Sequence, residues 1–183
     1  MGKNSRCVQY FPEVSEMEKA WLRLKGVSVP TPLAKNLRLS RDYDANILLK
    51  REDLQTVRSY KIRGAYNKIA SLTEEERSRG IVCASAGNHA QGVAYACNLL
   101  NIKGTIFMPS TTPKQKVAQV EMFGEDWVEI VLKGDLFDDA KHLANNFAEE
   151  WECPVIHPFD DPRVIEGQGT VGLEVLRSCD QPV

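Results

Sequence analysis

The sequence predicts an α/β fold in which parallel strands are flanked by helices. Apolar runs typical of buried strands alternate with segments whose apolar residues recur at helical spacing. Short connections that contain glycine, proline or helix-capping residues separate these runs. Such alternation favours a parallel sheet, because parallel neighbours need a crossover connection, which a helix provides.

Five apolar runs are predicted as strands and seven periodic segments as helices. The predicted strands cover residues 46–50, 81–84, 105–108, 128–132 and 155–157, and the first of them is expected to be buried. The predicted helices lie between residues 15 and 26, 60 and 70, 73 and 80, 89 and 100, 112 and 123, 135 and 151, and 162 and 178. Residues 1–14 show no periodicity and are expected to form a loosely held arm. Residues 29–33 contain two prolines and are expected to cross in an extended form.

Capping residues predict where several helices begin. Ser15 with Glu18, and Thr73 with Glu76, are spaced as capping boxes, in which each side chain satisfies a backbone N–H of the other residue. Thr112 is predicted to cap the helix that follows it. Small residues in the helix over 89–100 predict that it lies close to the sheet.

Composition places the chain among ordinary globular proteins. Of its 183 residues, 43% are hydrophobic and 26% are charged, and the net charge of −2 gives no reason to expect nucleic-acid or anionic-membrane binding. No apolar stretch approaches the roughly 20 residues of a membrane span, and the first residues lack the apolar segment of a signal peptide. Five scattered cysteines predict reduced thiols in a cytoplasmic protein, and none forms a Cys-x-x-Cys pair (Cys7, Cys83, Cys97, Cys153 and Cys179).

Two short stretches carry the candidate site. Lys61 stands at the start of a predicted helix, where its amine can reach a bound cofactor or substrate. The turn over 85–88 joins a strand to a helix and leaves free backbone N–H groups at the helix start, which suit an anion. Taken alone, such a lysine is most often solvated and such a turn is most often an ordinary cap. The turns at 51–60, 85–88, 109–112 and 133–135 all follow strands and are expected to face one cleft.

The two stretches together resemble the signatures of fold type II pyridoxal-phosphate enzymes, and within them threonine dehydratases. They read Ser59-Tyr60-Lys61-Ile62-Arg63-Gly64-Ala65 and Ser85-Ala86-Gly87-Asn88-His89-Ala90-Gln91-Gly92. Residues 31–33, 50–55, 109–113 and 167–170 match the same family, so the resemblance runs from about residue 16 to 177. It implies a tryptophan synthase β-like architecture, with residues 1–75 in a large cofactor domain, residues 80–158 in a complete small domain, and residues 159–183 returning to the large domain.

The resemblance also implies a role for each candidate residue. Lys61 would hold pyridoxal 5'-phosphate as a Schiff base and afterwards move the Cα proton of the substrate. Tyr60 would lie against the pyridine ring, and Asn88 would bond the phenolic oxygen of the cofactor. The substrate carboxylate would be held, largely by backbone donors, at Ser85, Gly87, Asn88 and His89. The implied reaction is the deamination of L-threonine, and of L-serine, to a 2-oxo acid and ammonia.

Two departures from related patterns separate the relatives. Lys61 is followed by Ile62 and Arg63, whereas cysteine and threonine synthases usually carry Lys-Asp-Arg. Serine racemases generally place a serine where this chain has Ala86, which favours elimination over racemisation. A serine racemase or serine dehydratase relative stays the second enzyme hypothesis. The pathway, isoleucine synthesis or threonine breakdown, stays open.

Several family features are expected beyond residue 183, so the chain is interpreted as C-terminally truncated. These are the glycine-rich phosphate loop, the residue that pairs with the pyridine nitrogen, and any regulatory domain. A catalytically inactive fragment of the same fold is therefore a third hypothesis. The intact family member is expected to be a homo-oligomer.

Other polar features are predicted to be structural. His142 and His157 are interpreted in this way, and so are the acidic residues at 74–76 and 138–139. The Gly167-Gln168-Gly169 stretch is predicted to allow close helix packing rather than to bind phosphate. No zinc-ligand spacing, nucleophile elbow or Walker loop is present.

Overall fold

A computed structural model describes residues 10–179 and contains eight helices and five strands in that range. The helices are α1 Val14–Arg23, α2 Leu37–Asp42, α3 Lys61–Ala70, α4 Glu74–Ser78, α5 Asn88–Leu100, α6 Lys114–Gly124, α7 Phe137–Trp151 and α8 Pro162–Ser178. The strands are β1 Leu33–Lys35, β2 Leu48–Lys50, β3 Ile81–Ala84, β4 Gly104–Met108 and β5 Val128–Leu132. The α/β fold class predicted from the sequence is confirmed.

A parallel sheet of order β3-β4-β5 forms the centre of residues 81–158. Beside β3, a single parallel bridge joins Val82 to Val155. The expected strand over 155–157 is therefore reduced to this bridge, although the Ile156 N–H still donates to the Val82 carbonyl at 2.8 Å. Because β3, β4 and β5 run in one direction, the loops that follow them lie at one edge of the sheet.

Helices cover both faces of this sheet. Successive residues of a strand point to opposite faces, and both sets of residues are apolar here. Ile81, Cys83 and Ile106 belong to the larger core cluster, which includes residues of α5. Val82 and Phe107 point the other way and pack with residues of α7. The result is a helix–sheet–helix arrangement in which Ile81, Val82 and Cys83 of β3 are fully buried.

Helix α3 lies between α5 and α8, and glycines make both contacts close. A Cβ added at Gly92 of α5 would lie 3.1 Å from the Ile62 nitrogen and 3.1 Å from the Lys61 carbonyl carbon. One added at Gly167 of α8 would overlap the Arg63 carbonyl oxygen and lie 2.8 Å from the Asn67 Cβ. The Gly167-Gln168-Gly169 stretch thus permits close helix packing, as predicted. Gly92, in contrast, lies against the start of α3 rather than against the sheet.

The region before residue 60 differs most from the sequence prediction. The segments β1 and α2 were not predicted, and β1 pairs with β2 in an antiparallel ladder, Leu33 opposite Lys50. The strand expected to be buried over 46–50 is shorter, and its central residue Leu49 is 38% exposed. This two-stranded ladder has one open face, which explains the partial exposure.

Two of the predicted caps are wrong and one is confirmed. Helix α1 begins at Val14, so Ser15 lies inside its first turn and no side chain caps it. Thr112 makes no capping hydrogen bond either, because Pro113 is the N-cap residue of α6. The box formed by Thr73 and Glu76 is present, with the Thr73 N–H donating to the Glu76 carboxylate at 2.7 Å.

Candidate active site

The amine of Lys61 is half-buried at the start of α3 and is bound to a backbone carbonyl. Its Nζ donates to the Pro158 carbonyl oxygen at 2.7 Å and lies 5.3 Å from the centre of the Tyr60 ring. Within residues 10–179, no carboxylate lies within 4.0 Å of this nitrogen. Burial lowers the pKa of Lys61, because a charged amine loses hydration there. The environment therefore differs from that of a solvated helix-start lysine.

Gln168 of α8 donates to the same Pro158 carbonyl at 3.3 Å. The carbonyl, with two lone pairs, thus accepts from both side chains. Neither Pro158 nor Gln168 was predicted to lie at the site. The position of Gln168 within a glycine-flanked motif was the only sequence signal, since a backbone carbonyl has no residue signature.

The turn from β3 into α5 supplies unpaired backbone donors. The N–H groups of Ala86, Asn88 and His89 have no acceptor in the described part of the chain, whereas the Gly87 N–H donates to Ser85 Oγ at 3.3 Å. A Cβ built at Gly87 would meet nothing within 4 Å, so open space adjoins the turn. The positive end of the α5 dipole points in the same direction. The geometry suits a carboxylate or another small anion.

The imidazole of His89 is buried and ties α5 to the segment before α8. Its Nε2 lies 2.9 Å from the Ile156 carbonyl oxygen, so this nitrogen carries the proton. Its Nδ1 is buried and has no partner among residues 10–179. Burial, helped by the nearby charge of Lys61, lowers the pKa of His89 to about 4. The ring is therefore neutral near pH 7.

Asn88 and Tyr60 are open to solvent on this side of the molecule. The Asn88 side chain is exposed and forms no hydrogen bond with any described residue. Tyr60, at the N-terminal end of α3, is 42% exposed beside the Lys61 amine. Both side chains are free to contact a ligand.

Close packing of α5 on α3 brings the two predicted stretches together. Gly92 stands one turn beyond the loop over 85–88, and its contact with the Lys61 backbone joins that loop to the lysine. The loops after β4 and β5 are joined separately, because Ser110 Oγ donates to the Gly134 carbonyl at 2.9 Å. Of the four turns expected to face one cleft, those over 109–112 and 133–135 are thus joined directly, and the turn over 85–88 is joined to the start of α3.

The remaining histidines lie outside this constellation or support it. His142 is on the outer face of α7 and pairs with Asn146 at 3.3 Å. The Nδ1 atom of His157 accepts the Asp160 N–H at 2.7 Å and so orders the turn that leads to α8.

A cavity of about 60 Å³ lies on the α7 side of the sheet, between Lys141, Ala144 and Phe159, and does not include Lys61. It is much smaller than the roughly 300 Å³ of a typical cofactor pocket.

The described residues fit pyridoxal phosphate in three respects. Lys61 offers an amine with a lowered pKa, Tyr60 offers an aromatic face beside it, and the start of α5 offers free donors. Ser59 Oγ, two residues before the lysine, is buried without a partner within residues 10–179, as expected of a group that awaits a ligand atom. Lys61 would hold the cofactor covalently through its amine.

Comparison with known proteins agrees with this geometry. A family described as "Pyridoxal-phosphate dependent enzyme" matches residues 25–183. The chain is 54% identical over 160 residues to a biosynthetic L-threonine dehydratase of Halalkalibacterium halodurans, covering 87% of this chain and 39% of that protein.

Solved structures lead to the same family. A processed threonine deaminase isoform of Solanum lycopersicum is 40% identical with a TM-score of 0.82, over 94% of this chain and 49% of the other. A maize serine racemase is 31% identical with a TM-score of 0.85, over 92% and 50%. The chain spans about two fifths of the length of the curated relatives it matches. The extent of these matches shows that the chain belongs to the family of pyridoxal-phosphate dependent enzymes.

Proposed function

We propose that this chain carries the lysine-bearing part of a threonine ammonia-lyase. The observation that carries the proposal is the meeting of two features at the Gly92 contact. Among the described residues, a half-buried amine has no carboxylate partner there and the start of a helix has N–H groups without an acceptor. One feature suits a carbonyl-bearing cofactor and the other suits the carboxylate of an amino acid. The high identity to a threonine dehydratase supports L-threonine as substrate. L-Serine, which lacks only the methyl group of threonine, is the proposed second substrate.

Each residue would act through the contacts that the fold gives it. Lys61 would hold the cofactor and then take the proton from the substrate Cα, since its lowered pKa makes the neutral amine more available. Backbone donors at Ser85, Gly87, Asn88 and His89 would orient the substrate carboxylate. The Asn88 side chain and the Tyr60 ring would contact the cofactor itself.

The cofactor, when bound, supplies an electron sink for the negative charge that develops at Cα. Loss of the proton at Cα and of the hydroxyl at Cβ removes one water from the amino acid. Hydrolysis then returns one water and releases ammonia, so the net products are a 2-oxo acid and ammonia. Lys61 is the group of this chain assigned to the proton transfer.

Serine racemisation is the second candidate, favoured by the maize structure. Racemisation needs an acid or base on each face of the substrate Cα. Position 86 carries only the methyl group of an alanine, which packs against the larger core cluster. We therefore propose elimination as the main reaction, and formation of D-serine from L-serine is the measurement that distinguishes the two.

The setting of the enzyme is proposed on the same grounds. We infer a homo-oligomer in the cytoplasm, with residues 1–75 and 159–183 in a large domain and residues 80–158 in a small one. Within residues 10–179, four cysteines are unpaired, which supports a reducing compartment. None of the described helices is long and apolar enough to cross a membrane. The name of the bacterial relative supports a biosynthetic role.

Cofactor trapping tests the proposal directly. Pyridoxal phosphate is added to the purified chain, the adduct is reduced with borohydride, and mass spectrometry locates the modified lysine. We expect the adduct on Lys61 and its loss in Lys61→Ala. Lys68→Ala is the matched control, because this lysine is on the same helix but is paired with Asp161 at 2.8 Å. An adduct that survives in Lys61→Ala would mean that another lysine holds the cofactor.

A further inference from the structure

Arg63 is the largest fully buried side chain of the described residues, with 0% exposure. All five of its N–H donors are used. Nε and Nη2 both donate to Glu52 at 2.8 Å. Nη1 and Nη2 donate to Glu174 at 2.7 and 3.0 Å, and Nη1 also donates to Thr170 Oγ1 at 3.1 Å. A guanidinium is always charged, so only a complete set of acceptors makes such burial tolerable.

The charges around Arg63 balance. Lys50 Nζ donates to Glu174 at 2.6 Å, so two cations face two carboxylates. Glu52 also accepts from Thr31 Oγ1 at 2.6 Å. We call Lys50, Glu52, Arg63 and Glu174 the arginine cluster. It is neutral as a whole, which explains why it does not need solvent.

The arginine cluster holds the first turn of α3 on the side opposite Lys61. Residues two apart in a helix point to nearly opposite sides, so Arg63 and Lys61 project away from each other. Arg63 reaches back to the turn at residues 52–54 and to α8, and Lys50 joins β2 to the same carboxylate of α8. Lys61 reaches forward to Pro158. A rotation of the first turn would move both side chains at once.

We propose that Arg63 is a positioning residue for Lys61: its doubly bidentate contacts fix the rotation of the first turn of α3 and thereby the place of the lysine amine. This inference rests on the proposed function, in which Lys61 holds the cofactor. Lysine at position 63 would keep the charge but offer three donors from one point, too few for two bidentate pairs.

A purely stabilising role makes a different prediction. It would lower the unfolding temperature of Arg63 variants and leave the chemistry of Lys61 unchanged in the folded protein. A positioning role changes the exposure of Lys61, and hence its titration. His89 and His157 are the titratable groups that interact with Lys61 from α5 and from the segment before α8. Both histidines are kept in every variant, so a change in the titration of Lys61 does not come from their substitution.

The experiment compares two double variants of equal charge change. R63M/E52Q removes one cation and one carboxylate from the arginine cluster and leaves Lys50 paired with Glu174. R177M/E18Q is the control, since it removes another arginine–glutamate pair, at 2.9 Å, that joins α8 to α1 and does not touch the first turn of α3. Lysine reactivity is measured with acetic anhydride between pH 7 and 11, and the labelled residues are quantified by mass spectrometry. Reduction with borohydride after pyridoxal phosphate addition then gives the adduct yield on Lys61.

We expect R63M/E52Q to raise the labelling midpoint of Lys61 by about one pH unit and to lower its adduct yield about tenfold or more. The control should match the wild type in both. If R63M/E52Q does not unfold cooperatively, Arg63→Lys is measured instead, and the same change in the Lys61 midpoint and adduct yield is expected. A folded cluster variant with wild-type midpoint and yield would overturn the proposal. A wild-type chain with a low Lys61 midpoint but no adduct would contradict the proposed function, and the labelling midpoints of the two double variants would then test the positioning of the amine alone.

Discussion

Replacing Gly167 with alanine should destabilise the chain, because α8 crosses α3 at this residue. The added Cβ would overlap the Arg63 carbonyl oxygen and lie 2.9 Å from the Arg63 carbonyl carbon. Since these are backbone atoms, the helices must separate by about 0.5 Å or more to reach ordinary contact at 3.4 Å. Overpacking of this kind costs about 1–3 kcal/mol, and the gain in helix propensity from alanine offsets about 1 kcal/mol of it.

Gly172→Ala is the matched control on the same helix. A Cβ at Gly172 meets nothing within 4 Å, so only the propensity gain of about 1 kcal/mol remains there. The two variants should then differ by the overpacking cost of about 1–3 kcal/mol, or by roughly 2–12 °C in melting temperature for a chain of this size. Thermal unfolding followed by circular dichroism measures the difference. If the two melt within 1 °C of each other, the close crossing of α3 and α8 is refuted.

Two further predictions concern His89 and the helix caps. Because the pKa of His89 is about 4 in the folded chain and 6.5 when unfolded, the free energy of unfolding should fall by up to about 3 kcal/mol as the pH drops from 6.5 to 4. His89→Asn should flatten this dependence in urea titrations, and an equal slope in the variant would contradict it. Thr73→Ala should cost about 1 kcal/mol through loss of its capping box, whereas Ser15→Ala should change stability by less than about 0.5 kcal/mol. The reverse order would restore the predicted cap at Ser15.

Local signals predicted the elements that depend on few neighbours. The strand over 128–132 and the helix over 162–178 have the bounds expected from the sequence. For α8 the reason is visible, because Asp161 caps the Arg163 and Val164 N–H groups and Pro162 fits the first turn. Both signals lie within three residues of the helix start, so no distant contact is needed to place it.

The errors arose where distant residues compete for the same groups. The Glu18 carboxylate, expected to complete a capping box, instead accepts from Arg177 of α8 at 2.9 Å. The segments β1 and α2 are short, three and six residues long, and have too few positions to show periodicity. The structure of β1 depends on its pairing with β2, whereas α2 begins at a local cap in which the Asn36 side chain accepts the Leu39 N–H at 2.9 Å.

The candidate site shows the same division. The motifs predicted Lys61 and the turn over 85–88, and the fold brings them together at Gly92. Sequence could not predict the burial of Arg63, because arginine is usually exposed and its acceptor Glu174 lies 111 residues away. The acceptors that make the burial of Arg63 tolerable come together only in the folded chain, so no local sequence pattern predicts it.

The place of Lys61 follows from helix packing rather than from loop geometry. Gly92 brings α5 onto one flank of α3, Gly167 brings α8 onto the other, and Arg63 prevents rotation between them. Backbone contacts of this kind cannot relax by a change of rotamer, whereas a lysine held by a loop could shift with little cost. It follows that single methyl groups added at Gly92 or Gly167 should disturb Lys61 although neither glycine has been assigned a contact with ligand. Loss of cofactor trapping in both alanine variants, with trapping preserved in Thr73→Ala, which is expected to lose about 1 kcal/mol at the start of α4, would separate this packing effect from a general loss of stability.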